Sequence, residues 1–331
     1  MSAWNRKLRD VFSDEAAGGI FLVSAALLAL VLANSPAREN YFNAVDKSHI
    51  FVNEYLMSIF FFLVGLEIRR EFSDGELRNP KKAALPVIAA LGGMITPALI
   101  YLAFNSDGPE AKGWAIPMPT DIALALGVLA LLGSRIDTSL KIFLLTLAIA
   151  DDLFSIVALA LFYRDGVEPI KLMGSIGAVI LAFLIPVGKK VTTSRLINYI
   201  HPWSAFFIVP LFALVNIGIS IDFAKVVDQL NNPVAHGLII GRVIGKFVGI
   251  TLFAWIAIKL RIAIKSDSIS FQEISGVAAL AGMGLTVSLF IAELALTQEE
   301  TLEVVKLGLL TSAIIAGAFG YFLLRKFTSS P

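Results

Sequence analysis

The chain has 331 residues, 57% of them hydrophobic and 16% charged, with a net charge of +1 and a mean hydropathy of +0.79. Soluble domains are about 45–50% apolar and about 25% charged, so a soluble globular enzyme is excluded, and the near-neutral balance gives no footing for a nucleic-acid partner. The absence of cysteine removes disulfides, thiolate metal sites and thiol catalysis, and His49, His201 and His236 lie far apart without H-E-x-x-H spacing.

A polar lead-in with Arg6, Lys7, Arg9, Asp10, Asp14 and Glu15 precedes a full-length apolar run, which reads as an uncleaved cytoplasmic start. A hydrocarbon core about 30 Å thick needs about 20 apolar helical residues. That ruler gives ten spans, at approximately 16–33, 50–66, 83–104, 115–132, 142–163, 172–187, 203–220, 234–258, 274–296 and 304–324. The second contains Asn53 and Glu54, and the sixth is short. The period-two alternation of β-barrel strands is absent. With the N-terminus inside, cytoplasmic segments carry 18 Lys and Arg against 6 outside, alternating loop by loop. The positive-inside bias therefore puts both termini in the cytoplasm. Trp4, Trp114 and Trp203 sit near span ends, as interfacial anchors do. The expected fold class is an all-α polytopic membrane protein of about ten transmembrane helices, a single integral domain over 1–331.

Charges lie where lipid excludes them. Asp121 falls in span four, Asp151 and Asp152 in the middle of span five, and Lys246 at the midpoint of span eight. Four such groups cost on the order of 10–14 kcal/mol on insertion scales, which rivals the roughly 5–15 kcal/mol stability of a whole domain. An Asp–Lys pair used as interhelix glue accounts for part of this. Three carboxylates facing one or two cations leave a surplus that calls for water, a proton or an ion in a polar cavity.

The backbone is disturbed at the same depth. Pro117 and Pro119 remove two N–H donors just before Asp121 and push Ile116 and Met118 toward extended geometry, so span four is expected to be interrupted. Gly282 and Gly284 mark a second weak point, in span nine. Opened backbone within a membrane is tolerated where it lines a cavity or is buried in protein. Residues 83–163 and 234–324 form two triplets of spans entering from opposite sides, each with its break in the middle member, an arrangement that points to a transporter site. Crossed half-helices bring positive N-terminal and negative C-terminal ends together. Asp121 is placed to offset the former, and a cation such as Lys246 the latter. Gly237, Gly241, Gly245 and Gly249 recur at every fourth position of span eight and admit a close helix neighbour, while Arg242 and Lys246 share another face. Residues next to each other on a helix point about 100° apart, so one of Asp151 and Asp152 can meet Lys246 while the other faces the cavity.

Pro-Thr-Asp at 119–121, Ala-Asp-Asp-Leu at 150–153, Ile-Gly-Lys at 244–246, Gly-x-Gly at 282–284, Val-Gly-Leu-Glu-Ile-Arg-Arg-Glu at 64–71 and His-Pro-Trp at 201–203 resemble, in order and over nearly the whole chain, the NhaA-type sodium/proton antiporters. The resemblance implies Asp152 as principal ion ligand, Asp151 as a second ligand of the transported Na+ and the partner of Lys246, and Asp121 with Thr120 at the helix crossing. It also implies that Glu67, Arg70 and Glu71 form a cytoplasmic pH-sensing cluster, although positive-inside anchoring explains the arginines equally well. Family members usually have twelve spans. This chain passes from Tyr163 almost directly to a segment resembling the eighth, so two helices are expected to be missing. The first external loop, roughly 34–49, is too short for a dimer-supporting β-hairpin. Ile197 and Met173 stand where the family often carries Glu and His.

The expected function is exchange of Na+ or Li+ for H+ across a bacterial inner membrane, serving pH and sodium homeostasis without enzymatic chemistry or a cofactor. Hard cations want oxygen ligands, and a carboxylate, the Thr120 hydroxyl and opened carbonyls supply them. A homodimer stays open. So do three other readings: a proton-coupled carrier of another small ion or organic anion, a degenerate non-transporting homologue, and, furthest from the motifs, an intramembrane aspartyl protease.

Overall fold

The computed structural model describes residues 15–162, 169–185 and 193–328. Trp4, Arg6, Lys7, Arg9, Asp10, Asp14, Tyr163, Arg164, Lys189 and Lys190 lie outside that set, as do the side chains of Glu15, Lys171 and Met173. All the regular structure described is helical. Helices α1 (Glu15–Ala33), α2 (Arg38–Ile50) and α3 (Met57–Ser73) come first, α2 and α3 being joined by a wide π turn at Phe51–Leu56. They are followed by α4 (Pro80–Phe104), α5 (Ile122–Leu131), α6 (Thr138–Phe162) and α7 (Pro169–Leu184). Helices α8 (Thr193–Trp203) and α9 (Val209–Asn216) run on through a second π turn, and α10 (Phe223–Leu230) is a short connector. Helices α11 (Pro233–Ile240) and α12 (Lys246–Lys259) are continuous through a π turn at Gly241–Gly245. Helices α13 (Phe271–Leu280), α14 (Thr286–Ala295) and α15 (Glu299–Phe327) complete the chain.

Among the described residues, seven helical stretches are long and apolar enough to cross a bilayer, and three shorter apolar helices (Ile122–Leu131, Gly174–Leu184 and Thr286–Ala295) bring the number of apolar elements to ten. The chain is a multi-pass membrane protein. Side chains such as Ile20, Val31, Leu99, Leu131 and Ile314 stand exposed on the outer surface, which suits a lipid solvent.

The second span differs from its expected 50–66: the helix runs unbroken over Arg38–Ser73. At about 1.5 Å per residue, those 36 residues far exceed the hydrocarbon thickness, and the surplus is the polar part, Arg38 to His49. The segment read as a short external loop is thus largely helix. Asn53, which weakened the span on paper, is buried and forms a reciprocal amide pair with Asn216: Asn53 Nδ2 donates to Asn216 Oδ1 (2.9 Å) and Asn216 Nδ2 to Asn53 Oδ1 (2.8 Å). A polar residue inside a span is tolerated when its partner lies on a neighbouring helix.

The glycine stripe of α11–α12 lies along α4. A Cβ on Gly245 would come within 3.1 Å of Pro97 Cα, and Gly92 and Gly249 face each other so closely that a Cβ on either would strike the other's carbonyl oxygen. Small residues here let two backbones touch, which fixes the depth and rotation of the helix that carries Arg242 and Lys246.

Candidate functional site

Both expected breaks are present. After a 3-10 segment at Pro109–Ala115, the chain runs without helix through Pro117, Met118, Pro119 and Thr120 until α5 starts at Ile122. The second break, 281–285, separates α13 from α14. The two breaks bind each other. Asp121 N–H donates to Met283 O (2.8 Å), and the Thr120 hydroxyl lies 3.0 Å from Ala281 O. Neither Gly282 nor Gly284 has a positive φ, so they serve by lacking a side chain. A Cβ on Gly282 would meet Arg242 O at 2.6 Å, and one on Gly284 would strike the Arg242 guanidinium and Pro119 O.

Asp121 occupies the N-cap position of α5 yet makes no capping bond to it. Its carboxylate turns to the other interrupted helix, where Oδ2 accepts from the Thr286 hydroxyl (3.0 Å) and the Thr286 N–H (3.3 Å) at the start of α14. The first break thereby caps the positive end that the second one opens.

Asp151 and Asp152 are adjacent on α6 and point apart. Asp151 Oδ2 accepts from Lys246 Nζ (2.5 Å) and from the Thr120 hydroxyl (2.7 Å), with Asp151 and Lys246 both wholly buried. Thr120 Oγ1 in turn accepts from Lys246 Nζ (2.7 Å). That hydroxyl, offered from sequence as an ion ligand, is therefore mostly committed to the buried pair. Asp152 instead lines a cavity of about 160 Å³ that also touches Thr120, Asp121, Glu67, Arg70, Glu71 and His201. Its Oδ1 is buried and has no protein hydrogen-bond partner. The cavity joins the mid-membrane carboxylate to the Glu67–Arg70–Glu71 helix end, where Arg70 Nη2 lies 3.9 Å from Glu71 Oε1.

One assignment needs correction. Lys246 was expected to offset the negative carbonyl ends at the crossing, but its ammonium is spent on Asp151 and Thr120. Arg242 does that work: Nη1 donates to Ile116 O (3.2 Å) and Ser288 Oγ (2.6 Å), Nη2 to Pro119 O (2.9 Å), and Nε to Gly282 O (3.1 Å). The two cations stand about 6 Å apart along the axis, so Lys246 comes level with α6 and Arg242 with the breaks. A planar fork of donors can gather three carbonyls, which a compact ammonium does less well. Arg242, at 0% exposure, is the residue sequence reasoning left unassigned. Its signal was a second guanidinium-or-ammonium position one turn before Lys246.

Among the described residues no three His, Asp or Glu side chains converge as a resident metal centre would require. What the crossing offers is a buried carboxylate beside opened backbone and a small polar cavity. Two interrupted helices bound to each other deep in a polytopic bundle, with that carboxylate between them, define a secondary ion transporter. The comparisons narrow the class. A sequence model of the family Na+/H+ antiporter 1 matches residues 9–177 and 173–324, and the chain belongs to that family. It is 39% identical to the Na(+)/H(+) antiporter NhaA of Escherichia coli (strain K12), and equally so to those of Shigella dysenteriae serotype 1 and Citrobacter koseri, over 97% of this chain and 98% of each relative. The protein accordingly exchanges Na+ for H+ across the inner membrane. These alignments span 381 positions, more than the chain's 331 residues, so the relatives carry an internal stretch missing here. The two matched parts meet at 173–177, within α7, which places the missing stretch there.

Proposed function

We propose that Asp152 carries Na+ and H+ by turns, so that exchange needs one competitive carboxylate and alternating exposure of it to the two sides. A single observation carries this reading. Among the described residues three aspartates are buried: Asp151 is bound to Lys246 and Thr120, Asp121 is bound to Thr286, and of the three Asp152 turns an unpartnered buried oxygen toward the cavity. A carboxylate holding a proton has lost the charge that attracts Na+, and one holding Na+ leaves no room for the proton. Asp151 then acts as the partner that keeps Lys246 in place, not as a direct ligand. Water from the cavity completes the oxygen shell that a hard cation wants; Li+ fits the same chemistry.

The cavity reaches Glu67, Arg70 and Glu71, which supports the cytoplasmic entrance at that helix end and a role for these groups in sensing pH. The three-to-one excess of Lys and Arg in alternate loops supports cytoplasmic termini. The matched positions of the two breaks support inverted repeats over approximately 83–163 and 234–324, moving against a panel formed by the other helices, and pH and sodium homeostasis is the role this activity serves. The test is Na+-driven proton movement in proteoliposomes. Asp152→Asn is expected to abolish it while the protein still folds; retained exchange rules out the assignment.

A further inference from the structure

Arg242 and Lys246 lie one turn apart on the same continuous helix, yet their bonds differ in kind. Lys246 is bonded to a carboxylate. Arg242 gives its hydrogen bonds to three main-chain carbonyls and one hydroxyl, and the carbonyls come from both breaks: Ile116 and Pro119 from the first, Gly282 from the second. Carbonyls freed at interrupted helices carry partial negative charge and are the groups by which transporters of this architecture can coordinate a cation. One more such group is taken as well, Met283 O by the Asp121 N–H. The guanidinium is wholly buried and is pressed so closely by Gly284 that no side chain fits between them.

The geometry points to Arg242 as the residue that fixes where the ion binds: it is a built-in cation seated on the carbonyl ends of both breaks, leaving Na+ only the Asp152 side of the crossing. The inference rests on the Asp152 reading above. It has a consequence for coupling. A site made of carbonyls would hold Na+ at any pH, because carbonyls do not titrate. A site whose only anionic ligand is a carboxylate gives up Na+ when that carboxylate takes a proton. By closing the first kind of site Arg242 enforces the second, which makes it a positioning residue for exchange.

Crystals of the unaltered protein soaked in Tl+ at alkaline pH test this directly. Anomalous density is expected beside the Asp152 carboxylate and absent from the oxygens of Ile116, Pro119 and Gly282. Density on those carbonyls overturns the inference while leaving Asp152 open; density at neither place overturns the Asp152 reading and the inference with it. The second arm measures 22Na+ retention by the purified, folded protein as pH is lowered. Unaltered protein is expected to release Na+, and Arg242→Lys, whose ammonium covers fewer of the carbonyls, to fall between it and Arg242→Leu. Arg242→Leu is expected to retain at least about tenfold more at the acid end, where a residue with only a packing role would lower the melting temperature and leave the pH profile unmoved. A wild-type profile in Arg242→Leu overturns the inference, and should that variant not fold, the Tl+ density decides.

Discussion

Removing the Lys246 ammonium should reveal how much the buried pair with Asp151 matters. In Lys246→Met the Asp151 carboxylate stays wholly buried but keeps only the Thr120 hydroxyl, its Oδ1 already having no protein partner. Breaking a buried ion pair from one side costs about 3–5 kcal/mol, because an uncompensated charge is left behind, whereas replacing both members with apolar groups of similar volume is often neutral or better. One kcal/mol moves the melting temperature of a domain of 150–250 residues by about 2–4 °C. A chain of this length sits at or below the lower end, so the single variant should melt about 5–10 °C lower. The double variant Asp151→Leu/Lys246→Met should recover most of that loss. Melting of purified protein in detergent, followed by size exclusion, reads both. An unchanged Lys246→Met, or a double variant no better than the single, would refute the pairing as the source of the effect.

Gly284→Ala puts a methyl group against the Arg242 guanidinium and 2.7 Å from Pro119 O; such overpacking costs about 1–3 kcal/mol, and both melting temperature and Na+-driven proton flux should fall, with a wild-type flux counting against the close seating of Arg242. Asp137 caps α6: its Oδ1 accepts from the Ser139 N–H (2.7 Å). That bond, with those from the Ser139 and Ser268 hydroxyls, holds the Asp137 carboxyl below the ordinary carboxylate value. A group lowered in the folded state adds stability above its unfolded value of about 3.9 and loses it as pH falls through the lowered folded one. Asp137→Asn, an equally good cap, should therefore flatten the acid limb of the melting profile and leave neutral pH unchanged; an unaltered acid limb would dismiss the cap as its source.

Much of this was legible because lipid makes sequence patterns strict. Ten apolar runs could be measured against the bilayer, and the breaks were announced by Pro117, Pro119, Gly282 and Gly284, since neither prolines nor paired glycines sit quietly in a helix. Adjacent aspartates on α6 had to diverge, and they do. What could not be read was the rotation of α11–α12 about its own axis. Spacing puts Arg242 and Lys246 on one face but does not say which reaches the carbonyls and which the carboxylate; the packing of Gly245 and Gly249 on α4 and the π turn between α11 and α12 decide that. The Asn53–Asn216 pair was hidden for a related reason, because its members lie far apart in the chain and each looks like a defect by itself. Asp121 capping α14 instead of α5 likewise depends on how the two breaks cross, which no local pattern records.

The most direct measurement is proton release when Na+ is added to purified, weakly buffered protein. Release of protons that grows as Na+ occupies the site, absent from Asp152→Asn, is the expected result if one carboxylate serves both ions. Na+ bound at full affinity with no proton leaving the protein would contradict it.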